Sequence, residues 1–483
     1  MHPMHPMHPA LTALTAFSRR DFFGRTANGL MGAALAHLGA GDLLASDAAS
    51  AAASAPSLVP RPPHIPPRAR AVIQLFMHGG PSQMDLFDPK PALKKYAGKP
   101  FPGDINVQQP EESGGILPSP FEFKRHGQCG APLCELLPHL GKCVDDITFI
   151  HSMHTEHINH EPALWAMHTG QVIPGRPSMP SWIVYGLGAE SRNLPAFVVL
   201  DDERGLPIDG IRNWSSGWLP PLYQGTRFRA QGVPVWNLHP HRAASEEIVS
   251  NRRNFLASLD RRHRADHPGE QELDARIANY EMAARMQLEA TDALDLSRES
   301  ESMKKLYGLD NKTTESYGRR CLMARRLVER GVRCVQIYID KQIWDNHSDL
   351  EMNLRSNCAR TDQPVAALLL DLKARGLLES TLVTWGGEFG RLPLSQAANG
   401  RDHNKDGFTM WLAGGGVKGG YTHGETDDFG YKAVKDPVSI HDLHATLLHL
   451  MGLDFHKLAF HRNGLEERLT GVTRPRVVQE LLA

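Results

Sequence analysis

The chain has almost no net charge: 53 Lys and Arg stand against 54 Asp and Glu, a formal −1. That balance offers no basic face for a polyanion, so nucleic acid is not an expected partner. Its six cysteines (Cys129, Cys134, Cys143, Cys321, Cys334, Cys358) lack zinc-finger spacing. Cys129 and Cys134 could pair in an oxidising compartment, whereas folding before export would leave free thiols. Beyond the amino terminus no stretch approaches the roughly 18 apolar residues of a membrane span, so no stable span is expected in the mature form. There is no internal repeat except the opening Met-His-Pro. What the chain does have is histidine, 25 residues of it, and a hydrophobic share of 41%, enough for a large core.

The histidines are not scattered evenly. Four short apolar runs each break off into His, Asp or Glu: Ala71 to Met77 into HGGPSQMD, Ile147 to Ile150 into HSMHTEHINHEPALW, Val332 to Ile339 into DKQIWDNHSDL, and Thr381 to Trp385 into GGEFGR. Runs of this length and composition predict buried parallel strands. In an open α/β sheet the ligand crevice lies beyond the carboxyl ends of the strands, so four such ends can converge on one site. Helical patterns at Ser316 to Arg330 and Asn353 to Arg375 alternate with the strands, which predicts a mostly parallel sheet covered on both faces. Leu133 to Val144 also has an apolar helical face, interrupted by Pro138. Ala196 to Leu200 is a further strand, and its acidic end, Asp201-Asp202-Glu203, predicts a solvated turn.

The amino terminus has the layout of an export signal. Ser18-Arg19-Arg20-Asp21-Phe22-Phe23 resembles the twin-arginine consensus, an uncharged stretch follows from Thr26 to Ala40, and Ala49-Ser50-Ala51 offers a cleavage site. The expected organisation is a signal over 1–45, an Ala/Ser/Pro-rich linker over 46–70, and one domain over 71–483. A charged helical insertion falls at about 243–305. The expected location is the periplasm or outside the cell, with the twin-arginine export machinery as a partner.

Chemistry concentrates in three loops and one helix start. Asn159 is a good N-cap, and a helix beginning there would carry His160 at its mouth, closed after Gly170. Asp345 and His347 in WDNH mix oxygen and nitrogen donors, as zinc, manganese or iron sites do. Glu388 sits in a glycine turn three residues before Arg391, whose guanidinium could hold a phosphate or sulfate fork-wise. His403 and Asp402 precede another strand-like run, Phe408 to Ala413.

The segments MHGGPSQMDLFDPKP, HSMHTEHINHEPA, WDNHSDL, TLVTWGGEFGR, GRDHNKDGFTMWLAGGGVKGG and VSIHDLHATLLHLMGLD occur in order. With them the mature chain resembles the domain-of-unknown-function 1501 family, related to the alkaline phosphatase and sulfatase superfamily. The resemblance implies an alkaline phosphatase-like three-layer α/β/α fold with a helical insertion. It places His78 at the first metal-binding position and His160 at the nucleophile position. It matches Asp345 and His347 to a metal-binding Asp and His, Glu388 to the start of an Asp-His pair, and His403 to a late histidine ligand; His441 and His444 are structural in this reading.

The chain also departs from that pattern. No Ser, Thr or Cys fills the nucleophile position, the Cys-x-Pro-Ser-Arg signature is absent, and Phe389 replaces a histidine. The implied activity is hydrolysis of phosphate or sulfate esters on small molecules or glycans by metal-activated water. It would use one or two divalent ions (zinc first, manganese or calcium next), two ions lying roughly 3.5–4 Å apart. His160, His157 or His154 would donate the proton. Ser82 and Thr155 are secondary nucleophile candidates. The alternative is a catalytically degenerate metal-binding protein with a binding or surface-assembly role.

Overall fold

The direction of nine strands decides what meets at one edge of the central sheet. They are β1 (Ala71–Phe76), β2 (Ile147–His154), β3 (Phe197–Leu200), β4 (Thr226–Phe228), β5 (Cys334–Tyr338), β6 (Thr381–Gly386), β7 (Phe408–Ala413), β8 (Tyr421–His423) and β9 (Val438–Ser439). Their order is β8-β2-β7-β6-β1-β5-β3-β4, with β9 also against β2. All pairings are parallel except those of β7, which runs antiparallel to both β2 and β6. The two reversals cancel, so β1, β2, β5 and β6 point the same way. Their carboxyl ends therefore share one edge, and β7 begins at that edge instead of ending there.

The computed structural model describes residues 56–483 apart from 233–234, 236–244, 268–269 and 398. The expected export signal, the first part of the expected linker and the start of the helical insertion lie outside the described residues. Residues 56–483 form one unit. Within it the Pro-rich stretch before β1 is bound along the domain: the amides of Arg61, His64 and Arg68 donate to the carbonyls of Leu187, Gly452 and Leu450.

Apolar side chains leave both faces of the sheet, as expected for parallel strands. Ile73 and Leu75 enter one core with Leu322 and Leu327 of α5 (Glu315–Glu329) and Val365 and Leu369 of α6 (Leu350–Ala374). Val72 and Phe76 enter a second core. There they meet Leu164 of α1 (His160–Thr169), Trp182 of α2 (Met179–Leu187) and Leu447 of α7 (Ile440–Leu450). This is the three-layer α/β/α arrangement with a mostly parallel sheet. The insertion is a pair of helices, α3 (Glu246–Asp266) and α4 (Gln271–Leu294), of which α4 feeds Met282 and Met286 into the first core. No helix among the described residues is long and apolar enough to cross a membrane.

Three local expectations are corrected. Leu133 to Val144 is not a helix: Ala131–Cys134 pairs with Phe123–His126 as a ribbon, and short turns lead on into β2. The leucines bury their side chains from this irregular backbone just as well, and Pro138 forbids the helical ladder. β2 runs on past Ile150 through His154, because its polar side chains find partners; His151 Nδ1 meets Thr409 Oγ1 at 2.9 Å and Ser152 Oγ donates to the Asp436 carbonyl at 2.7 Å. The Asp201-Asp202 turn is buried instead of solvated, with Asp202 held by Arg320 at 2.7 Å and Asp201 by Arg227 at 2.5 Å. All six cysteines are free thiols.

Candidate metal centre

Four elements deliver one cluster to the shared edge. Asp345 and His347 lie in the loop after β5, anchored by buried Trp344, whose amide donates to the His78 carbonyl. Gly79, just after β1, stands at φ +113°, and a Cβ there would lie 2.5 Å from the Asp345 nitrogen. Only glycine lets the two loops approach so closely. His403 arrives from the other direction, in a two-residue ribbon antiparallel to Gly390–Arg391, just ahead of β7. His160 is the first residue of α1, whose αL cap is Gly170. Asn159 holds the N-cap position but makes no capping bond; its Oδ1 accepts from Gln108 Nε2 at 2.6 Å.

The separations are those of ligands around one ion. His347 Nε2 lies 2.9 Å from Asp345 Oδ1 and 3.0 Å from His403 Nε2. His403 Nε2 is 3.2 Å from Asp345 Oδ1, and His160 Nε2 is 3.3 Å from Asp345 Oδ2. A tetrahedral zinc with bonds of about 2.0–2.1 Å needs ligand–ligand spacings of about 3.3 Å.

The far sides of two rings decide which nitrogens carry lone pairs. His403 Nδ1 faces the Ile158 carbonyl at 2.9 Å, so it must be the protonated nitrogen. His347 Nδ1 faces Gln396 Oε1 at 2.5 Å. The amide end of Gln396 is pinned by Gln109 Oε1 at 2.6 Å and the Glu112 carboxylate at 3.4 Å, which leaves its oxygen toward His347. With its outer nitrogen carrying the proton, each ring in its neutral form turns its Nε2 lone pair inward, toward the other ring and Asp345, where a cation could bind. A protein carbonyl or amide fixing the outer nitrogen is the usual support of a metal-binding histidine.

Electrostatics divides the histidines into two kinds. Burial, with the charges of Arg391 and His160, outweighs Asp345 and lowers His403 to about 4, so it is neutral at pH 7. Burial likewise lowers His78, against the pull of Glu388. His160 is the opposite case. Burial works against its charge, yet hydrogen bonds to Asp345 and Glu388 prevail and raise it to about 9. Its Nδ1 lies 2.6 Å from Glu388 Oε1. Asp345, despite burial, is held well below the usual carboxylate range by His160, His347, His403 and Arg391. Glu388, also buried, is lowered by His78 and His160, and both its oxygens accept from the Gly79 amide, at 3.0 and 3.2 Å.

The sequence-derived residues thus fall into three groups. Asp345, His347, His403 and His160 come together as one donor set, and His78, His160 and Glu388 as a second. His78 is fully buried with neither ring nitrogen hydrogen-bonded, and its Nε2 lies 3.8 Å from Glu388. The sets share His160 but use opposite edges of its ring, Nε2 toward Asp345 and Nδ1 toward Glu388. Ions on opposite edges of one imidazole cannot approach to about 3.5–4 Å, so the close two-ion clamp does not fit this arrangement.

Arg391 does not face open space. Its guanidinium donates to the carbonyls of Gly79, Gly80, Trp344 and Arg401 and to Asp345 Oδ1 at 2.6 Å. It is fully buried and holds Asp345, so it is not the expected anion fork. His157 joins neither set, accepting from the Asn159 amide at 3.1 Å. Ser82 is tied to Asp85 at 2.5 Å, and Asp85 in turn holds Arg401. Phe389, where a histidine was expected, walls the site, its ring 4.8 Å from that of His160 and 4.4 Å from that of His403. Gln396, Gln109 and the Ile158 carbonyl were not foreseen, because nothing in their local spacing marks them.

Several solved structures resemble this chain at low identity. The lipoteichoic acid synthase LtaP from Listeria monocytogenes is 9% identical with TM-score 0.34, covering 80% of this chain and 72% of that one. The PsFucS1 sulfatase from Pseudoalteromonas sp. is 13% identical with TM-score 0.33, covering 80% and 68%. The phosphonate monoester hydrolase SpPMH from Silicibacter pomeroyi is 11% identical with TM-score 0.27, covering 65% and 68%. No curated protein matches the chain. The family model described as "Protein of unknown function (DUF1501)" matches residues 69–482, nearly the whole described unit, and the chain belongs to that family.

Proposed function

We propose that this protein is an exported, metal-dependent hydrolase of phosphate or sulfate esters carried on a small molecule or a glycan. The observation that carries this reading is the convergence of Asp345 with two imidazoles whose lone pairs are turned inward, beside a histidine held in its charged form. Three protein donors with a position left open is the catalytic kind of zinc site. A divalent ion, zinc by its fit to this nitrogen-rich set, would supply Lewis acidity and bring the pKa of water toward 7. In the metal-free protein His160, raised to about 9, bears a proton on each nitrogen near neutral pH; Glu388 accepts the one on Nδ1, and the Nε2 proton would be the one offered to a departing oxygen. Asp345, charged and gripped by Arg391, keeps its orientation and pairs with His160 Nε2 at 3.3 Å. Phe389 shields the inner wall, and the cluster reaches solvent on the side of His347.

Turnover of p-nitrophenyl phosphate and p-nitrophenyl sulfate by the zinc-loaded protein tests this. His160→Ala should keep the metal and lower turnover by about 10²–10⁴-fold, the usual worth of general acid catalysis. Wild-type protein that is loaded yet hydrolyses neither ester class would end the proposal. Export is tested separately by replacing Arg19 and Arg20 with lysine, which should retain the protein in the cytoplasm.

One observation favours a second reading, a non-catalytic metal-binding protein. His160 Nε2 is close enough to Asp345 to act as a fourth ligand, and a filled tetrahedron is the structural kind of site. Under that reading His160→Ala weakens metal binding and there is no turnover to lose.

A further inference from the structure

Residues Gln108 and Gln109 touch the support of all three histidines in the main donor set. Gln108 Nε2 donates to Asn159, the residue before His160, at 2.6 Å. The amides of Gln108 and Gln109 donate to Asp402 Oδ2 at 2.8 and 3.3 Å. Asp402 is the residue before His403, and its other oxygen accepts the His403 amide at 2.8 Å. Gln109 Oε1 accepts from Gln396 at 2.6 Å, and Gln396 holds His347 Nδ1. Asn159 lies far along the chain from Gln396 and Asp402, and this one segment touches all three.

The strap is seated by its own sequence. Ile105 and Val107 pack against a small core of Met84, Leu93, Ile116 and Leu394, and the Asn106 amide donates to Tyr431. The apolar side chains at 105 and 107 hold the segment down, and the two glutamines that follow reach the site. This segment belongs to a Pro- and Gly-containing excursion, which loop composition alone would assign to the surface.

We propose that Gln109, acting through Gln396, is a positioning residue for His347, and that the Gln108–Gln109 strap sets the mutual geometry of the three imidazoles. The proposal rests on the metal-centre reading above. Gln109 touches no donor atom of the site directly; it keeps the Gln396 amide turned so that its oxygen, not its NH2, faces His347. Without it Gln396 is free to turn over, and His347 Nδ1 loses the acceptor that makes Nε2 a ligand.

The test is zinc affinity, by competition with a chromogenic chelator, together with the visible absorption of the cobalt-substituted protein. Wild type, Gln109→Ala, Gln109→Glu and Gln396→Ala are compared. The expected result is a loss of zinc affinity of about 10–100-fold in Gln109→Ala and Gln396→Ala, with an altered cobalt spectrum. Gln109→Glu retains an acceptor and should stay close to wild type. Half-buried Gln109 can be replaced without opening the core, so its variant guards against misfolding of Gln396→Ala, and circular dichroism of the metal-free proteins checks both. Variants that bind zinc as tightly as wild type with an unchanged cobalt spectrum overturn the strap while leaving the metal centre intact. Wild type that binds neither ion overturns both.

Discussion

At the scale of single residues, the account turns on His160 being held charged by two carboxylates while His403 and His78 stay neutral. In metal-free protein the raised value means that this interaction contributes fully below the unfolded imidazole value and is lost as pH rises through about 9. The contribution is on the order of 3 kcal/mol. Glu388→Gln removes one of the two partners, so the His160 titration, followed by NMR of the metal-free protein, should move down by about a pH unit or more. An unchanged midpoint would show that Glu388 does not govern it. Gly79→Ala is the complementary change: it forces an L side chain into φ +113° and against the Asp345 backbone. Chemical denaturation should register a loss of about 1–3 kcal/mol, together with weakened metal binding.

At the scale of elements, the strands were legible because each is an uninterrupted apolar run with its chemistry at the end. β1, β5, β6 and β7 begin and finish within two residues of their sequence-derived limits. The metal-type residues at those ends were legible for the same reason. What spacing could not show was which residues stand behind the donors, since Gln396 and the Ile158 carbonyl reach the site through ribbon pairing and loop closure. Nor could composition tell buried acid from solvated acid at Asp201-Asp202. That turn ties β3 to α5, with Asp202 and Arg320 both about 1% exposed. Arg320→Met leaves the Asp202 carboxylate with its longer contact to Arg204, at 3.1 Å, and little else of opposite charge. Breaking a buried pair from one side should cost about 3–5 kcal/mol in urea unfolding. A loss under about 1 kcal/mol would mean that Arg204 alone satisfies Asp202.

At the scale of the molecule, the fold holds many imidazoles in the neutral form. Burial lowers His168 to about 3 and His444 to about 4, and lowers His78 and His151 as well. Each binds a proton more readily when unfolded, so below about pH 6.5 the unfolded state gains protons that the native state refuses. Stability should fall steadily between about pH 6.5 and pH 4, read as a declining urea midpoint at constant slope. A midpoint that is level across that interval would contradict the neutral assignment. Bound metal should oppose the decline at its upper end, since ligands that hold an ion resist protonation.

The most direct test of the central claim is the zinc content of the purified protein by elemental mass spectrometry, measured beside Asp345→Asn. The account predicts one tightly held ion per chain in the wild type, and none in a variant that keeps its circular dichroism. A wild type still empty after incubation with zinc, or a variant that retains the ion, would contradict it.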